Sequence, residues 1–464
     1  MNGGGSSRRV LAIASLASFL GFLDVTIVNV AFPSISRTFG TSSPAHLSWI
    51  LNSYNVLFAA FLLPCGVVAD RLGSSRTLIG GVALFGVTSG LCAAAPSINL
   101  LIAARALQAL AAALMIPSSL AVLLAATSRS QRPAAIAAWS ASAAVAAGIG
   151  PSLGGFLVEA SSWRLVFLVN VPVALFLLAA SVSLPSTPRL LDRRPDLLGG
   201  AAISLALGFL ALGISKGEDW GWTSTANLAC YLVSALMLGV FALRTYLRPN
   251  PMIAVDLFRD PERTTANVAT VVFSVAFYAG ILNNVLFLTG VWGYSILEAG
   301  LAISPAPLTS AAVGMLAARL LPRFGSRPLA ALGCVVYGCG GIGFLLRSAD
   351  VTPDFLSVWL PAALLMGCGI GLVFASLGAS AAASLRESDF ATGSALNTVA
   401  RQLGAVIGTA LVFSILHEGL LRLTPGPYQD VWALCLGVSL AAMAVALLLP
   451  GRQPAPSLVR SSSQ

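Results

Sequence analysis

Residues 21–33, GFLDVTIVNVAFP, close an apolar run that begins at Val10, and they contain one acid, Asp24, with no cation beside it. Counted from Val10, Asp24 lies roughly 21 Å along a helix, inside the hydrocarbon if that helix spans a membrane. An acid there costs about 2.5–3.5 kcal/mol on insertion scales, so it normally faces a bundle interior or a water-filled cavity. Hydrocarbon penalises the charged form of a carboxyl, which suits such a group to taking up and releasing a proton. The plainer alternative is a hydrogen-bond partner for a neighbouring helix, although Asn or Ser would serve there without the charge. A second charge, Arg105, stands in ARALQALAAALMIP (104–117), with Gln108 one turn further along the same helix face. A buried arginine must pair or reach water. Arg105 is therefore either a structural tie to helix-end carbonyls or an interior cation that tunes the proton affinity of the carboxylate.

Groups of this kind have to be positioned by helices in lipid. The chain has 464 residues, 57% of them hydrophobic and 9% charged, with a mean hydropathy of +0.88, whereas soluble domains are about 25% charged. This is the composition of an integral membrane protein. Apolar stretches of roughly 20 residues, the length that crosses a bilayer as a helix, recur fourteen times: 10–31, 47–69, 77–95, 98–124, 134–158, 164–184, 197–215, 226–247, 265–292, 298–320, 328–347, 355–380, 391–416 and 429–449. Their length and Leu/Ala/Gly content exclude an outer-membrane barrel, whose strands would alternate in short segments. SSRRVLA (6–12) superficially resembles an export signal, but the run that follows is too long and carries Asp24. The seven cysteines all fall inside predicted spans without a C-x-x-C pair and read as small buried hydrophobes.

Cationic residues gather in cytoplasmic loops. Fourteen crossings with the N-terminus inside place 19 arginines on the cytoplasmic side and five cations, Arg37, Arg164, Lys216, Arg347 and Arg422, on the other. One missed helix would scramble that split, so it supports both the count and a cytoplasmic location for both termini. The net charge of +9 is then mostly a topological signal, and nucleic acid need not be invoked as a partner.

GVVADRLGSSR (66–76) follows the second span and ARLLPRFGSR (318–327) the tenth, and aligning Gly73 with Gly325 gives an offset of 252 residues. A duplicated six-helix unit explains this if two extra helices lie between the copies. The expected organisation is a six-helix bundle over 1–188, a linker with two inserted spans over 189–255, and a second six-helix bundle with a short tail over 256–464. In such an architecture the halves rock against each other around a midplane site. RPNPMIAVDLFRDPER (248–263) could lie along the cytoplasmic surface, although its prolines argue against one continuous helix. The tail RQPAPSLVRSSSQ reads as disordered.

In the loop after the second span, Asp70 can accept hydrogen bonds from a facing helix N-terminus or arginine. Gly73 allows a tight turn, while Arg76 finds a carboxylate or a lipid headgroup. GIGPSLGG in the fifth span sets Gly148, Gly150, Pro151, Gly154 and Gly155 within eight residues, a stretch that lets backbones approach closely. Even as ordinary packing it implies a tightly apposed surface.

Together these stretches resemble the major facilitator superfamily, and within it the fourteen-helix drug/proton antiporters of the EmrB/QacA type. LDVTIVNVAFPSI (23–35) is similar to that family's first-helix signature. GVVADRLGSSR, with Gly66, Asp70, Arg71, Gly73 and Arg76, is similar to the loop between helices 2 and 3, RALQ to the fourth-helix motif, and GPSLGG to the antiporter motif. SSWRLVFLVNVP (161–172), GYSILEAGLAISP (293–305) and GSALNTVARQLGAVIG (393–408) also match family stretches. Ala109 and Ala146 replace two of the family's glycines, and Pro322 stands where the first repeat has Asp70, so the two loops are not equivalent.

The resemblance implies an all-α protein of the bacterial cytoplasmic membrane that exports small lipophilic compounds by alternating access in exchange for protons. It needs no cofactor, and the loop after the second span would latch the outward-facing state. Asp24 and Arg105 would couple the proton, and polar or aromatic in-span residues would line the cavity: Asn52, Tyr54, Asn55, Gln108, Tyr278, Asn283, Asn284, Trp292, Asn397 and Gln402. Arg401 is read as snorkelling to the cytoplasmic surface. No span but the first carries an acid well inside it, so monovalent cations or neutral molecules are expected over multivalent cations. Proton-coupled uptake uses the same architecture, as could a non-transporting sensor. A membrane enzyme would need catalytic groups in the membrane, and His46 and His417 are both predicted in outer loops. Nothing in the sequence speaks for or against a periplasmic adaptor.

Overall fold

The structure is a computed structural model that describes residues 3–39, 44–128, 131–184, 196–247, 259–347, 352–383, 385, 390–416 and 425–450. The predicted surface stretch at 248–258, most of the predicted linker segment 189–196, His417 and the tail lie outside the described residues.

Lipid cannot hydrogen-bond the backbone, so spanning segments satisfy their own amides as helices. The first bundle comprises α1 (Gly3–Thr38), α2 (Pro44–Leu72), α3 (Ser74–Ala94), α4 (Ile98–Ala125), α5 (Arg132–Ala160), α6 (Arg164–Leu168) and α7 (Asn170–Ser181). Two helices follow, α8 (Leu197–Trp220) and α9 (Thr225–Leu247). The second bundle contains α10 (Pro261–Gly290), α11 (Ile296–Ile303), α12 (Pro305–Phe324), α13 (Ser326–Arg347), α14 (Leu360–Ala382), α15 (Phe390–Leu416) and α16 (Pro425–Ala446). A π-helical turn, Phe355–Trp359, leads into α14.

Among the described residues, thirteen helical segments are long and apolar enough to cross a membrane, and a shorter apolar stretch, Leu198–Ile214, lies within α8. Two predicted spans appear as pairs of helices. Pro172 cannot donate to the carbonyl of Leu168, and Pro305 and Pro307 remove amides around Ser304. Val169 and Ser304 keep helical dihedrals, so each pair continues as one rod: Arg164–Ser181 and Leu297–Phe324. His46, expected in a loop, falls in the first turn of α2.

Helix ends carry their own signals. Ser97 caps α4, Asp196 caps α8 and Asp260 caps α10, and Ser295 with Glu298 forms a capping box on α11. Asp196 also accepts from Arg244 at 2.7 Å, which ties α8 to α9.

In the first bundle α1 packs along α5, and α4 packs on α2 and α3; in the second, α10 packs on α15 and α16, and α14 on α12 and α13. The bundles meet along two seams, α5 with α11 and α12, and α2 with α15. The inserted helix α8 lies against α2 and α15, with α9 packed outside it. α9 turns Leu228, Leu232, Leu236 and Leu243 outward, each more than half exposed. That stripe would be a liability in water and is an ordinary lipid contact in a bilayer.

Consecutive spans reverse direction, so the ends rich in arginine share one face of the bundle and the ends poor in arginine share the other. On the arginine-rich face, Gly73 alone separates α2 from α3, and Gly325 alone separates α12 from α13. Both have positive φ, 93° and 80°, a region that a Cβ disfavours. The motif repeated at 252 residues is thus the same one-residue turn made twice.

Candidate functional site

Asp24 is completely buried on α1 and is enclosed by helices of its own bundle. Its Oδ2 accepts from Arg105 Nη1 of α4 at 2.5 Å. Its Oδ1 accepts from Gln108 Nε2 at 3.0 Å and from Asn170 Nδ2 of α7 at 2.9 Å. Arg105 also donates through Nη1 to Gln108 Oε1 at 2.7 Å and through Nε to the carbonyl of Ile50 on α2 at 3.4 Å. Its guanidinium carbon lies 4.2 Å from the centre of the Tyr54 ring, a cation–π contact. Gln108 Nε2 reaches Ser89 Oγ of α3 at 2.8 Å, and the Cys92 thiol lies 3.6 Å from Gln108 Oε1. One carboxylate, one guanidinium and the Gln108 amide therefore join five rods of the bundle. Arg105, expected beside the acid, is here, and so are Gln108 and Tyr54, which were expected on the cavity wall and do not line it; Asn170, Ser89 and Cys92 were not anticipated.

A cavity of about 590 Å³ lies between the bundles, within the size range of sites for drug-sized ligands. The first bundle contributes Phe22, Val25 and Thr26 of α1 with residues of α4 and α5, and the second contributes residues of α10, α12, α14 and α15. Asp24 is not among the lining residues, although its neighbours on α1 are. The lining continues to Arg132, Leu321 and Leu385, toward the arginine-rich face.

Of the expected cavity residues, Tyr278 is on this wall. The others lie outside it. Asn283 Nδ2 donates to the carbonyl of Tyr428, and Asn284 Oδ1 accepts from Trp432 Nε1. Asn397 bonds Asn267 and Thr270, and Trp292 packs against Phe287 and Trp359. Asn52 and Asn55 are part-buried on α2, and Gln402 is buried on α15. Arg401, expected to snorkel, lines the cavity with its guanidinium carbon 4.2 Å from the centre of the Phe374 ring. Position along a helix does not give the rotation of the helix, and here α15 turns this residue inward.

The glycine motif of α5 has two working faces. A Cβ on Gly150 or Gly154 would strike Thr26 or Ile27 of α1. A Cβ on Gly148 would stand 3.1 Å from Pro307, and one on Gly155 would stand 2.8 Å from the Leu297 backbone in the other bundle. From that second bundle, Gly300 in turn fits against the carbonyl of Pro151. Ser304 Oγ donates to the carbonyl of Gly148 at 2.6 Å and lies 2.7 Å from Ser152 Oγ. These contacts join the two bundles beside the cavity. Gly155→Ala is expected to prise this seam, since overpacking against backbone costs about 1–3 kcal/mol. With Ser152→Cys as reporter, labelling by an impermeant maleimide should rise roughly tenfold over the reporter alone, each ~1.4 kcal/mol being a factor of ten. An unchanged rate would mean that the seam yields without opening.

In the loop motif, Gly66 is buried, Asp70 and Arg71 are part-buried at the end of α2, and Arg76 is exposed in the first turn of α3. The carbonyl of Gly73 accepts from the amides of Arg76 and Thr77, so the turn hands the chain directly into the next helix.

Two helical bundles around a central cavity, with an ion pair sealed inside one of them, define a membrane transporter that works on small molecules. The chain belongs to the Major Facilitator Superfamily, whose family profile matches residues 14–409. It is 32% identical over 423 residues to the methylenomycin A resistance protein of Bacillus subtilis, covering 88% of this chain and 87% of that one. It is 33% identical over 434 residues to the multidrug resistance protein Stp of Mycobacterium tuberculosis, covering 90% and 79%. Among solved structures, it shares its fold with the human organic anion transporter TETRAN at a TM-score of 0.68 and 15% identity, over 95% of this chain and 99% of that one.

Proposed function

We propose that this protein is a multi-pass exporter of the bacterial cytoplasmic membrane that expels small lipophilic, antibiotic-like compounds in exchange for protons, with Asp24 as the proton-carrying group. Support comes from the resistance proteins it resembles over most of their length. The observation that carries the coupling is the placement of α1, which holds Asp24 in its own bundle and presents Phe22, Val25 and Thr26 to the cavity. Protonation removes the charge that Arg105, Gln108 and Asn170 hold in place, and α1 then loosens from α4 and α7. Because α1 also forms cavity wall and packs on the glycines of α5, that loosening reaches both the substrate and the seam. Proton and substrate thus compete through one helix and not through one surface.

In this reading residues 1–188 and 256–464 are the two rocking halves, and 189–255 is an insert at the α2/α15 seam. Both termini are cytoplasmic, the positive-inside bias makes the arginine-rich face cytoplasmic, and the present conformation is sealed to the outside. The loop at Gly66–Arg76 would latch the opposite, outward-facing state. The working partners are lipid, protons and the small-molecule substrate, and the protein is no enzyme. Purified protein in liposomes with an imposed pH gradient tests this: a lipophilic dye and lumenal pH, followed together, should move in opposite senses. Movement in the same sense would establish uptake by symport instead, and dye flux indifferent to the gradient would remove the proton from the mechanism.

A further inference from the structure

We propose that the central cavity is a site for amphipathic organic anions, compounds with an apolar ring system and a carboxylate or sulfonate, with Arg401 as the counter-charge. This deepens the export reading and rests on it. The sequence expectation of cationic or neutral substrates counted Asp24 as the charge available to a ligand, but Asp24 is buried behind α1 and contributes nothing to the lining. Among the described residues that line the cavity there is no Asp or Glu, while Arg401 and Arg132 both do.

Arg401 has the features of a binding group more than of a structural tie. It makes no salt bridge or hydrogen bond among the described residues; its guanidinium lies over the Phe374 ring, and its Nε is buried without a hydrogen-bond partner. A guanidinium held on an aromatic face leaves its N–H fork free to bind a carboxylate or sulfonate with two parallel hydrogen bonds. Tyr278 lines the same wall and offers a phenolic donor, and Ser310 adds a hydroxyl. Phe22, Phe277 and Ile370 supply the apolar surface that an aromatic scaffold needs. A cation placed here would meet a like charge with no acid among the described lining residues to offset it, whereas an anion would satisfy an arginine whose Nε is buried without a partner.

Fluorescein and rhodamine 123 share a ring skeleton and carry opposite charge, so they isolate the sign of the ligand. With purified full-length protein in detergent, fluorescein is expected to bind about tenfold or more tightly than rhodamine 123, the range of a charge-assisted hydrogen bond. Arg401→Gln should erase that preference and Arg401→Lys should keep part of it, with thermal unfolding confirming that both variants fold. Tighter or equal binding of rhodamine 123, an unchanged preference in Arg401→Gln, or no saturable binding of either dye would overturn the proposal. The same dyes in pH-driven liposomes separate this from the export reading. Arg401-dependent fluorescein binding without proton-coupled flux would keep the site and remove the pump. Proton-coupled flux of rhodamine 123 without fluorescein binding would keep the pump and overturn the site.

Discussion

Asp24→Asn is expected to reduce proton-coupled substrate flux to the level of protein-free liposomes while leaving dye binding to the cavity within about threefold, a margin under 1 kcal/mol. Asparagine keeps the size of the side chain and one acceptor for Gln108 or Asn170, so the bundle should still close. What it cannot do is lose and regain a proton. Binding survives because Asp24 contributes no surface to the cavity. Arg105 still has the carbonyl of Ile50, the Gln108 oxygen and the Tyr54 ring for company, which limits the loss of stability. Flux assays paired with equilibrium binding decide the matter: coupled exchange that persists in the variant would return Asp24 to a structural role. Loss of binding together with flux would show that its charge shapes the cavity from behind the wall.

The largest effect on stability is expected from the partner. Arg105→Met leaves a carboxylate in the dry centre of a helical bundle, with two amide donors but no cation. Breaking a buried pair from one side costs about 3–5 kcal/mol. Combining it with Asp24→Asn removes the stranded charge, so the double variant should unfold at a higher temperature than Arg105→Met alone while remaining inactive in coupled flux. Thermal unfolding of the four proteins in one detergent makes a complete cycle. If the double variant is no more stable than Arg105→Met, the cost lies in lost packing of the long side chain, and the ion pair is not what holds these helices together.

Charge in a hydrocarbon run is conspicuous, and for that reason Asp24, Arg105 and the adjacent Gln108 could be read from the sequence before any fold was known. The spans were legible for a similar reason, since lipid permits so few backbone arrangements. Asn170, Ser89 and Cys92 gave no such signal: small polar residues occur throughout membrane helices, and only the convergence of α3 and α7 on Asp24 distinguishes these three. The cavity was the least legible part. Asn283, Asn284 and Asn397 satisfy one another's helices or neighbouring aromatics, and the wall is instead mostly apolar, a composition shared with lipid-facing positions. Arg401 shows the limit most clearly, because its depth could be counted along α15 but its direction depended on how that helix packs against α10.

The positive charge of Arg401 on the cavity wall also has an electrical meaning. An anion seated against Arg401 cancels the charge of that side chain, whereas an empty site presents it to the field across the bilayer. The return of the unloaded carrier would then be the voltage-dependent half of the cycle, with a bias of up to about 2.3 kcal/mol per 100 mV for one full charge. An anion leaving as one proton enters would move two charges in the same electrical direction, so the resting potential of the cell, and not the pH difference alone, would power expulsion.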